Sequence, residues 1–383
     1  MSEPAIYLDN AATTPVAELV RIAMAPFLAG SYGNPSTRYA AGVRASEALG
    51  EARRLVQRAL GAQKHKVVFC GSGTEANNLA VLGAARARKA GAIWIGATEH
   101  ASVRRSAEAW QAEGGGLCRI LPLDGQGGLD VARALEQIDA KTAVVSVMAV
   151  NNEVGTCYDV ARLFAGVGRI APGAHKHVDC IQALGKLDLD LEDLGADSLS
   201  ISAHKVHGPK GAGALVVRSE ARLQPLIFGG SQEGGWRAGT ENMACIAGLA
   251  RAVELAVAHQ DEFQRSAAAC RAALETGIEG LAGLHVRRTG RAVDAILSLQ
   301  VPGAPGEVWQ HHIEAMGFEV GVGSACQART AEISPALKAL GLADHEARQV
   351  LRVSFSRETK PAEVEGLARA LRTLHPRLSE VRP

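Results

Sequence analysis

Residues 67–88 have the sequence VVFCGSGTEANNLAVLGAARAR, an apolar run that leads through small residues into an amphipathic segment. Four consecutive apolar residues at 67–70 predict a buried strand, and the pattern at 74–88 predicts a helix. The small residues between them, GSG at 71–73, allow a tight turn. This part of the chain therefore predicts a strand, a turn and a helix in the order typical of α/β proteins.

Further apolar runs alternate with amphipathic stretches toward the C-terminus. We predict buried strands at residues 92–95, 142–150, 177–179, 197–202 and 213–217. Helices are predicted at 159–167 and, upstream, at 44–60, where Gly61 provides a stop signal. This order predicts a mostly parallel sheet covered on both faces, with ligands at the carboxyl ends of its strands.

The order of strands and helices changes after a long helical stretch at residues 241–259. An amphipathic helical pattern at 364–374 closes the chain. We therefore predict a large α/β domain at residues 15–258 and a smaller α+β domain formed by residues 1–14 and 259–383.

The composition argues against several classes of protein. Lys and Arg total 41 against 40 Asp and Glu, so no overall field favours nucleic acid or an anionic membrane. Seven cysteines are spread singly without a C-x-x-C pair, so we expect a reducing compartment and no metal site. The N-terminus lacks the features of a signal peptide, and no apolar run reaches the length of a bilayer. We therefore expect a cytoplasmic protein that contacts neither nucleic acid nor membrane directly.

The segment SISAHKVHGPKG, residues 200–211, places Lys205 just after a predicted strand. A lysine at a buried strand end, beside hydroxyl and imidazole groups, suits a Schiff-base amine. Any one lysine is more often a solvated loop residue. A second strand ends at Asp179, which suits the carboxylate that keeps the ring of pyridoxal phosphate (PLP) protonated. An Asp at a strand end, taken alone, is more often an ordinary turn residue or helix cap.

Two further segments have features of a reactive site. Gly73 and Thr74 lie between a predicted strand and a helix, where backbone amides can hold a phosphate, although a plain tight turn explains them as well. The sequence matches neither a P-loop nor a dinucleotide fingerprint. Cys326 stands among small and polar residues in GVGSACQART, residues 321–330, where a thiol can reach a substrate.

Together these segments resemble the cysteine desulfurase family of the class V aminotransferase-like PLP enzymes. The resemblance covers nearly the whole chain in collinear order. It rests on YLDNAATTP (7–15), GNPS (33–36), GTE (73–75), TEH (98–100), NNEVG (151–155), HVD (177–179), SAHK (202–205), RAGTEN (237–242), GSAC (323–326) and RVS (352–354). It implies a PLP fold-type-I large domain with a smaller α+β C-terminal domain.

The resemblance also implies a role for each matching residue. Lys205 would bond the cofactor, Asp179 would pair with the pyridine nitrogen, Gln182 would bond the ring hydroxyl, and His100 would stack on the ring and move protons. The phosphate would be held by Gly73, Thr74, Ser202, His204 and, from the second subunit of a homodimer, Thr240. The substrate carboxylate would contact Asn34, Asn152 and Arg352. Asn152 would also belong to the cofactor site.

The implied reaction starts from L-cysteine. The Lys205 amine or His100 would abstract the Cα proton, and the Cys326 thiolate would attack the substrate sulfur to leave a persulfide and L-alanine. The sulfur would pass to a protein acceptor for iron-sulfur cluster assembly or thio-modification. Selenocysteine lyase, another class V PLP transferase and an inactive scaffold of the same fold are the alternatives.

Overall fold

A computed structural model of the chain describes residues 5–323 and 333–381. Within these residues, thirteen strands form three sheets. The strands are β1 (Ile6–Tyr7), β2 (Lys66–Cys70), β3 (Ala92–Gly96), β4 (Cys118–Leu121), β5 (Thr142–Met148), β6 (His175–Asp179), β7 (Ser198–Ser202), β8 (Gly213–Val217), β9 (His285–Arg287), β10 (Ile296–Gln300), β11 (Phe318–Glu319), β12 (Gly321–Val322) and β13 (Val350–Ser354).

The helices alternate with the strands in the first two thirds of the chain. They are α1 (Glu18–Leu28), α2 (Ala40–Ala59), α3 (Gly73–Asn78), α4 (Ala84–Arg88), α5 (Ala101–Ala112), α6 (Val131–Gln137), α7 (Val160–Ile170), α8 (Met243–Ala258), α9 (Gln260–Ile278), α10 (Gly306–Ala315), α11 (Pro335–Ala339), α12 (Asp344–Arg348) and α13 (Pro361–Leu378). No helix among the described residues is long and apolar enough to cross a bilayer.

Seven strands form the central sheet in the order β2-β8-β7-β6-β5-β3-β4. The pairs from β7 through β4 are parallel, whereas β8 runs antiparallel to both β7 and β2. The predicted mostly parallel α/β sheet is therefore confirmed, with one strand reversed. Strands β5, β7 and β8 are buried along their whole length because helices cover both faces of the sheet.

The helix predicted at 74–88 contains an irregularity. A π-helical turn, Leu79–Gly83, separates α3 from α4. The Gly83 carbonyl oxygen accepts a hydrogen bond from the Gln224 amide at 3.0 Å. A neighbouring loop therefore bonds a carbonyl group of the helix at this turn. A Cβ at Gly83 would lie 2.7 Å from the Gln224 carbonyl oxygen, which explains the glycine.

The C-terminal part of the chain forms an antiparallel sheet in the order β12-β13-β10-β9. A separate hydrophobic cluster joins this sheet to α9, α10 and α13, and Leu8 from the N-terminal segment belongs to the same cluster. The apolar face of α13 is buried, as predicted. The smaller α+β unit is confirmed, and the exact limits at residues 14 and 258 stay a prediction.

Candidate active site

The carboxyl ends of β6 and β7 open on a cavity of about 240 Å³. The N-terminal segment, the starts of α3 and α5, and β13 complete its walls. Ten of the predicted site residues line this cavity: Gly73, Thr74, His100, Asn152, Asp179, Gln182, Ser202, His204, Lys205 and Arg352. The topology therefore brings together groups that lie up to 279 positions apart, counted from Gly73 to Arg352.

Lys205 lies in a single 3-10 turn, Ala203–Lys205, that follows β7 directly. Its Nζ donates hydrogen bonds to the carbonyl oxygens of Ala11 and Ala12, each at 2.7 Å. The turn is tight, because a Cβ at Gly208 would lie 2.8 Å from the Ala203 carbonyl oxygen. The amine is thus held against the N-terminal segment at the wall of the cavity.

Asp179 is the last residue of β6 and is 4% exposed. Its Oδ1 accepts a hydrogen bond from the Ile181 amide at 2.9 Å, and its Oδ2 accepts one from Asn77 Nδ2 at 2.7 Å. Burial raises the pKa of Asp179, and the Ile181 amide, His100 and Asn77 oppose that rise. A carboxylate held this way suits a cationic ring nitrogen as its partner.

His100 precedes α5 as its N-cap residue. Its Nδ1 accepts a hydrogen bond from the Ser102 amide at 3.1 Å and lies 2.8 Å from Ser102 Oγ. Burial lowers the pKa of His100, as does Lys205, while Asp179 raises it. Because Nδ1 accepts from an N–H, the neutral ring carries its proton on Nε2.

Two features of the cavity fit PLP. A Cβ at Gly73 would lie 2.3 Å from Ile181 Cδ1 and 3.2 Å from Ser202 Cβ, so a larger residue would displace side chains that line the cavity at the start of α3. Backbone amides at the start of a helix can hold an anion. Gln182 donates through Nε2 to the Ala11 carbonyl at 2.9 Å, and its Oε1 is buried without a partner among the described residues. Such an acceptor suits the ring hydroxyl.

Arg352 comes from β13 and is 2% exposed. Its Nε and Nη2 donate to Asp9 Oδ1 and Oδ2 at 2.8 and 3.1 Å, and its Nη1 donates to the Asn152 carbonyl at 3.2 Å. The sequence indicated a two-point contact to a substrate, but it did not indicate Asp9. Only the motif around residue 9 could have drawn attention to this carboxylate.

Two predicted residues that the structure describes, Asn34 and Thr240, are not part of the cavity wall. Asn34 is half-buried and accepts a hydrogen bond from the Ser36 amide, and Thr240 is exposed. Cys326 lies outside the described residues. Asn77, which bonds Asp179, was not predicted, because an asparagine in a helix gives no signal of its own.

The six described cysteines are all unpaired, and none lines the cavity. Burial raises the pKa of each of them: Cys70, Cys118, Cys157, Cys180, Cys245 and Cys270. Because the thiolate is the reactive form, a raised pKa reduces the reactive fraction of each of these thiols near neutral pH. Within the described residues, no group of three or more His, Cys, Asp or Glu side chains could hold a metal ion.

Comparisons with known proteins agree with this geometry. The profile of the family described as Aminotransferase class-V matches residues 6–367. A cysteine desulfurase of Bradyrhizobium diazoefficiens is 40% identical over 94% of this chain and 92% of its own length. A solved NifS-like protein has a TM-score of 0.90 at 30% identity, covering 97% of this chain and 99% of its own. SspA, solved in complex with cysteine, has a TM-score of 0.80 at 31% identity, covering 92% and 99% of the two chains.

Proposed function

Because the chain belongs to the cysteine desulfurase family of class-V aminotransferase proteins, we propose that it takes sulfur from free L-cysteine with the help of PLP. L-Cysteine and the Cys326 thiol give L-alanine and a persulfide at Cys326. One carbon–sulfur bond breaks and one sulfur–sulfur bond forms, so no external oxidant or reductant is needed. The observation that carries this proposal is the convergence of an amine, a carboxylate, an imidazole and a guanidinium on one cavity.

PLP supplies an electron-accepting ring that stabilises negative charge at the substrate Cα. Lys205 would be the amine that bonds it, and Asp179 would pair with the ring nitrogen. Gly73, Thr74, Ser202 and His204 surround the end of the cavity proposed for the phosphate. The buried Gln182 Oε1 is the acceptor for the ring hydroxyl.

Lys205 and His100 divide the proton transfers between them. Neutral His100 has its Nδ1 lone pair occupied by the Ser102 amide, so its Nε2 carries the proton and can donate it. The Lys205 amine, in its neutral form, would have a lone pair that can accept a proton. We therefore assign Lys205 as the group that accepts the Cα proton and His100 as a proton donor.

Arg352 is suited to the substrate carboxylate. A guanidinium has five N–H donors, and among the described residues three of them bond Asp9 or the Asn152 carbonyl. One N–H on each terminal nitrogen therefore remains for a substrate carboxylate, and two such donors suit a two-point contact. Asp9 therefore orients Arg352, and Asn152 belongs to the same contact.

Cys326 is assigned as the sulfur acceptor partly by elimination. The other six cysteines have pKa values raised by burial and lie off the cavity wall. The unpaired state of these six also supports a reducing compartment such as the cytoplasm. From Cys326 the sulfur passes to a protein acceptor, for iron-sulfur cluster assembly or for thio-modification.

The working unit is proposed to be a homodimer. Large apolar side chains are exposed at Val16, Leu19, Ile22, Leu28, Tyr32, Tyr39, Val43, Ile227 and Phe228. These nine residues come from two short parts of the chain, 16–43 and 227–228, and exposed apolar side chains of this size are what a subunit interface would cover. The Ala238 amide bonds the Ile227 carbonyl, which brings the segment containing Thr240 next to this surface. Thr240 would then reach the phosphate of the partner subunit.

The decisive experiment incubates the PLP-loaded protein with L-cysteine, quantifies L-alanine, and maps the persulfide by mass spectrometry. We expect the persulfide on Cys326, and none in Cys326→Ala or Lys205→Ala, with PLP retained in the cysteine variant. Cys245→Ala is the matched control and should behave as the wild type. A persulfide on another cysteine, or a wild-type protein that releases no alanine, would refute the proposal. The same assay with L-selenocysteine tests the lyase alternative.

The homodimer has its own test. Phe228 is 80% exposed, so Phe228→Asp should shift the protein from dimer to monomer in analytical ultracentrifugation. Leu117 is 52% exposed outside the two apolar segments, and Leu117→Asp should leave the dimer intact. A wild-type monomer, or a Phe228→Asp dimer of unchanged affinity, would contradict the assignment of this surface.

A further inference from the structure

A buried polar network lies beneath the cavity on one face of the central sheet. Residues 175, 177 and 179 of β6 and residues 198, 200 and 202 of β7 alternate onto the same face, because side chains of a strand point to opposite faces in turn. The parallel register pairs His177 with Ser198 and Asp179 with Ser200. All of these positions are buried, so each polar group needs a partner within the protein.

Asn77, in α3, is the centre of this network and is completely buried. Its Nδ2 donates to Asp179 Oδ2 at 2.7 Å and to Ser102 Oγ at 2.9 Å. Its Oδ1 accepts from Ser200 Oγ at 2.5 Å and lies 3.1 Å from His177 Nε2. Two N–H groups and two lone pairs are therefore all used.

The donor and the acceptor of each of these hydrogen bonds follow from which atoms carry a hydrogen. A carbonyl oxygen only accepts, so His177 must donate from Nε2 to Asn77, and its Nδ1 must accept from Ser198 Oγ at 2.9 Å. Burial lowers the pKa of His177 to about 3, which keeps the ring neutral. A rotated Asn77 amide would set its oxygen against the Asp179 carboxylate and its nitrogen against the His177 N–H. The network thus allows one orientation of the amide.

We propose that Asn77 is a positioning residue of the cofactor site: its amide holds the Asp179 carboxylate ionised and aimed into the cavity, and links it through Ser102 to His100. Burial alone disfavours the Asp179 charge, and one amide donor at 2.7 Å opposes that cost. The same amide bonds Ser102 Oγ, which lies 2.8 Å from His100 Nδ1. One side chain therefore orients two of the groups on which the proposed chemistry depends, Asp179 and His100, and this inference rests on the proposed function.

The test is a double-mutant cycle on PLP affinity, measured by equilibrium titration of the apo full-length chain. In Asn77→Ala, PLP should bind about tenfold more weakly, the scale of a hydrogen bond to a charged group. In the Asp179→Ala background the same change should cost less than about twofold, because residues that act through one another are not additive. A structural defect would instead weaken binding equally in both backgrounds.

Asn78→Ala is the matched control. Asn78 is the next residue of the same helix, and its amide donates to the backbone carbonyls of Thr74 and Ser102 at 2.8 and 3.5 Å, without touching Asp179. Its PLP affinity should equal that of the wild type. If Asn77→Ala does not fold, Asn77→Ser replaces it in the double-mutant cycle, because the smaller serine leaves room for a water molecule.

Failure of the role proposed for Asn77 can be distinguished from failure of the proposed function. Wild-type affinity in Asn77→Ala, or an equal loss in both Asp179 backgrounds, would overturn the role of Asn77 while leaving the proposed function intact. A wild-type chain that binds no PLP would instead refute the proposed function itself. A tenfold loss confined to the Asp179-containing background supports the inference.

Discussion

Removal of the Asp9 carboxylate should destabilise the protein strongly, because it leaves a buried guanidinium without its partner. The side chain of Arg352 is 3% exposed and that of Asp9 is 16% exposed. Loss of one member of a buried ion pair costs about 3–5 kcal/mol. Burial raises the pKa of Asp9, which means that desolvation of its carboxylate has a cost. Part of the attraction between Asp9 and Arg352 offsets that cost. The cavity also lets water reach Arg352, and we therefore expect Asp9→Ala to cost about 3 kcal/mol.

Urea unfolding of the apo protein measures this loss directly. Glu18→Ala, which removes an exposed partner of Arg21, is the control and should leave the urea midpoint unchanged. The double variant Asp9→Ala/Arg352→Met removes both charges and should be more stable than Asp9→Ala alone, because no buried charge remains unpaired. The reasoning is refuted if Asp9→Ala costs less than about 1 kcal/mol, or if the double variant is the less stable of the two.

Two further predictions follow from the same site. Burial holds the pKa of His177 at about 3 while an unfolded histidine titrates near 6.5, so the free energy of unfolding should fall as pH is lowered from 6.5 toward 4. His177 should contribute up to about 1.4 kcal/mol per pH unit to this decrease. In urea titrations at several pH values, the free energy of unfolding should therefore change less steeply with pH in His177→Gln than in the wild type. Equal slopes would contradict this prediction. Gly73→Ala places a Cβ 2.3 Å from Ile181 Cδ1 and should weaken PLP binding about tenfold. A Cβ at Gly168 would have no atom within 4 Å, so Gly168→Ala should bind PLP as the wild type does. Equal PLP affinities in the two variants would contradict the role proposed for Gly73 in phosphate binding.

Six of the seven strands of the central sheet could be predicted because their signals are local, and β4 is the exception. Local signals also indicated Gly73, Thr74, Asp179 and Lys205, whereas the other six predicted residues of the cavity wall came only from the family resemblance. Strand β8 begins and ends at the predicted residues, and β7 begins one residue after the predicted start. Strand β5 stops at Met148, two residues before the predicted end, and its last paired residue lies beside Asp179, the final residue of β6. Lys205 and Asp179 meet because parallel strands end at one edge of a sheet.

The sequence by itself determined most strands of the central sheet and which reactive side chains stand at the ends of β6 and β7, since periodicity and turn chemistry act over a few residues. Tertiary structure alone decided how those side chains are held. The Asp9–Arg352 pair spans 343 positions and the Asn77–Asp179 bond spans 102. A hydrogen bond across such a distance depends on the packing of whole elements, and no local pattern encodes which acceptor a buried amide or guanidinium will meet.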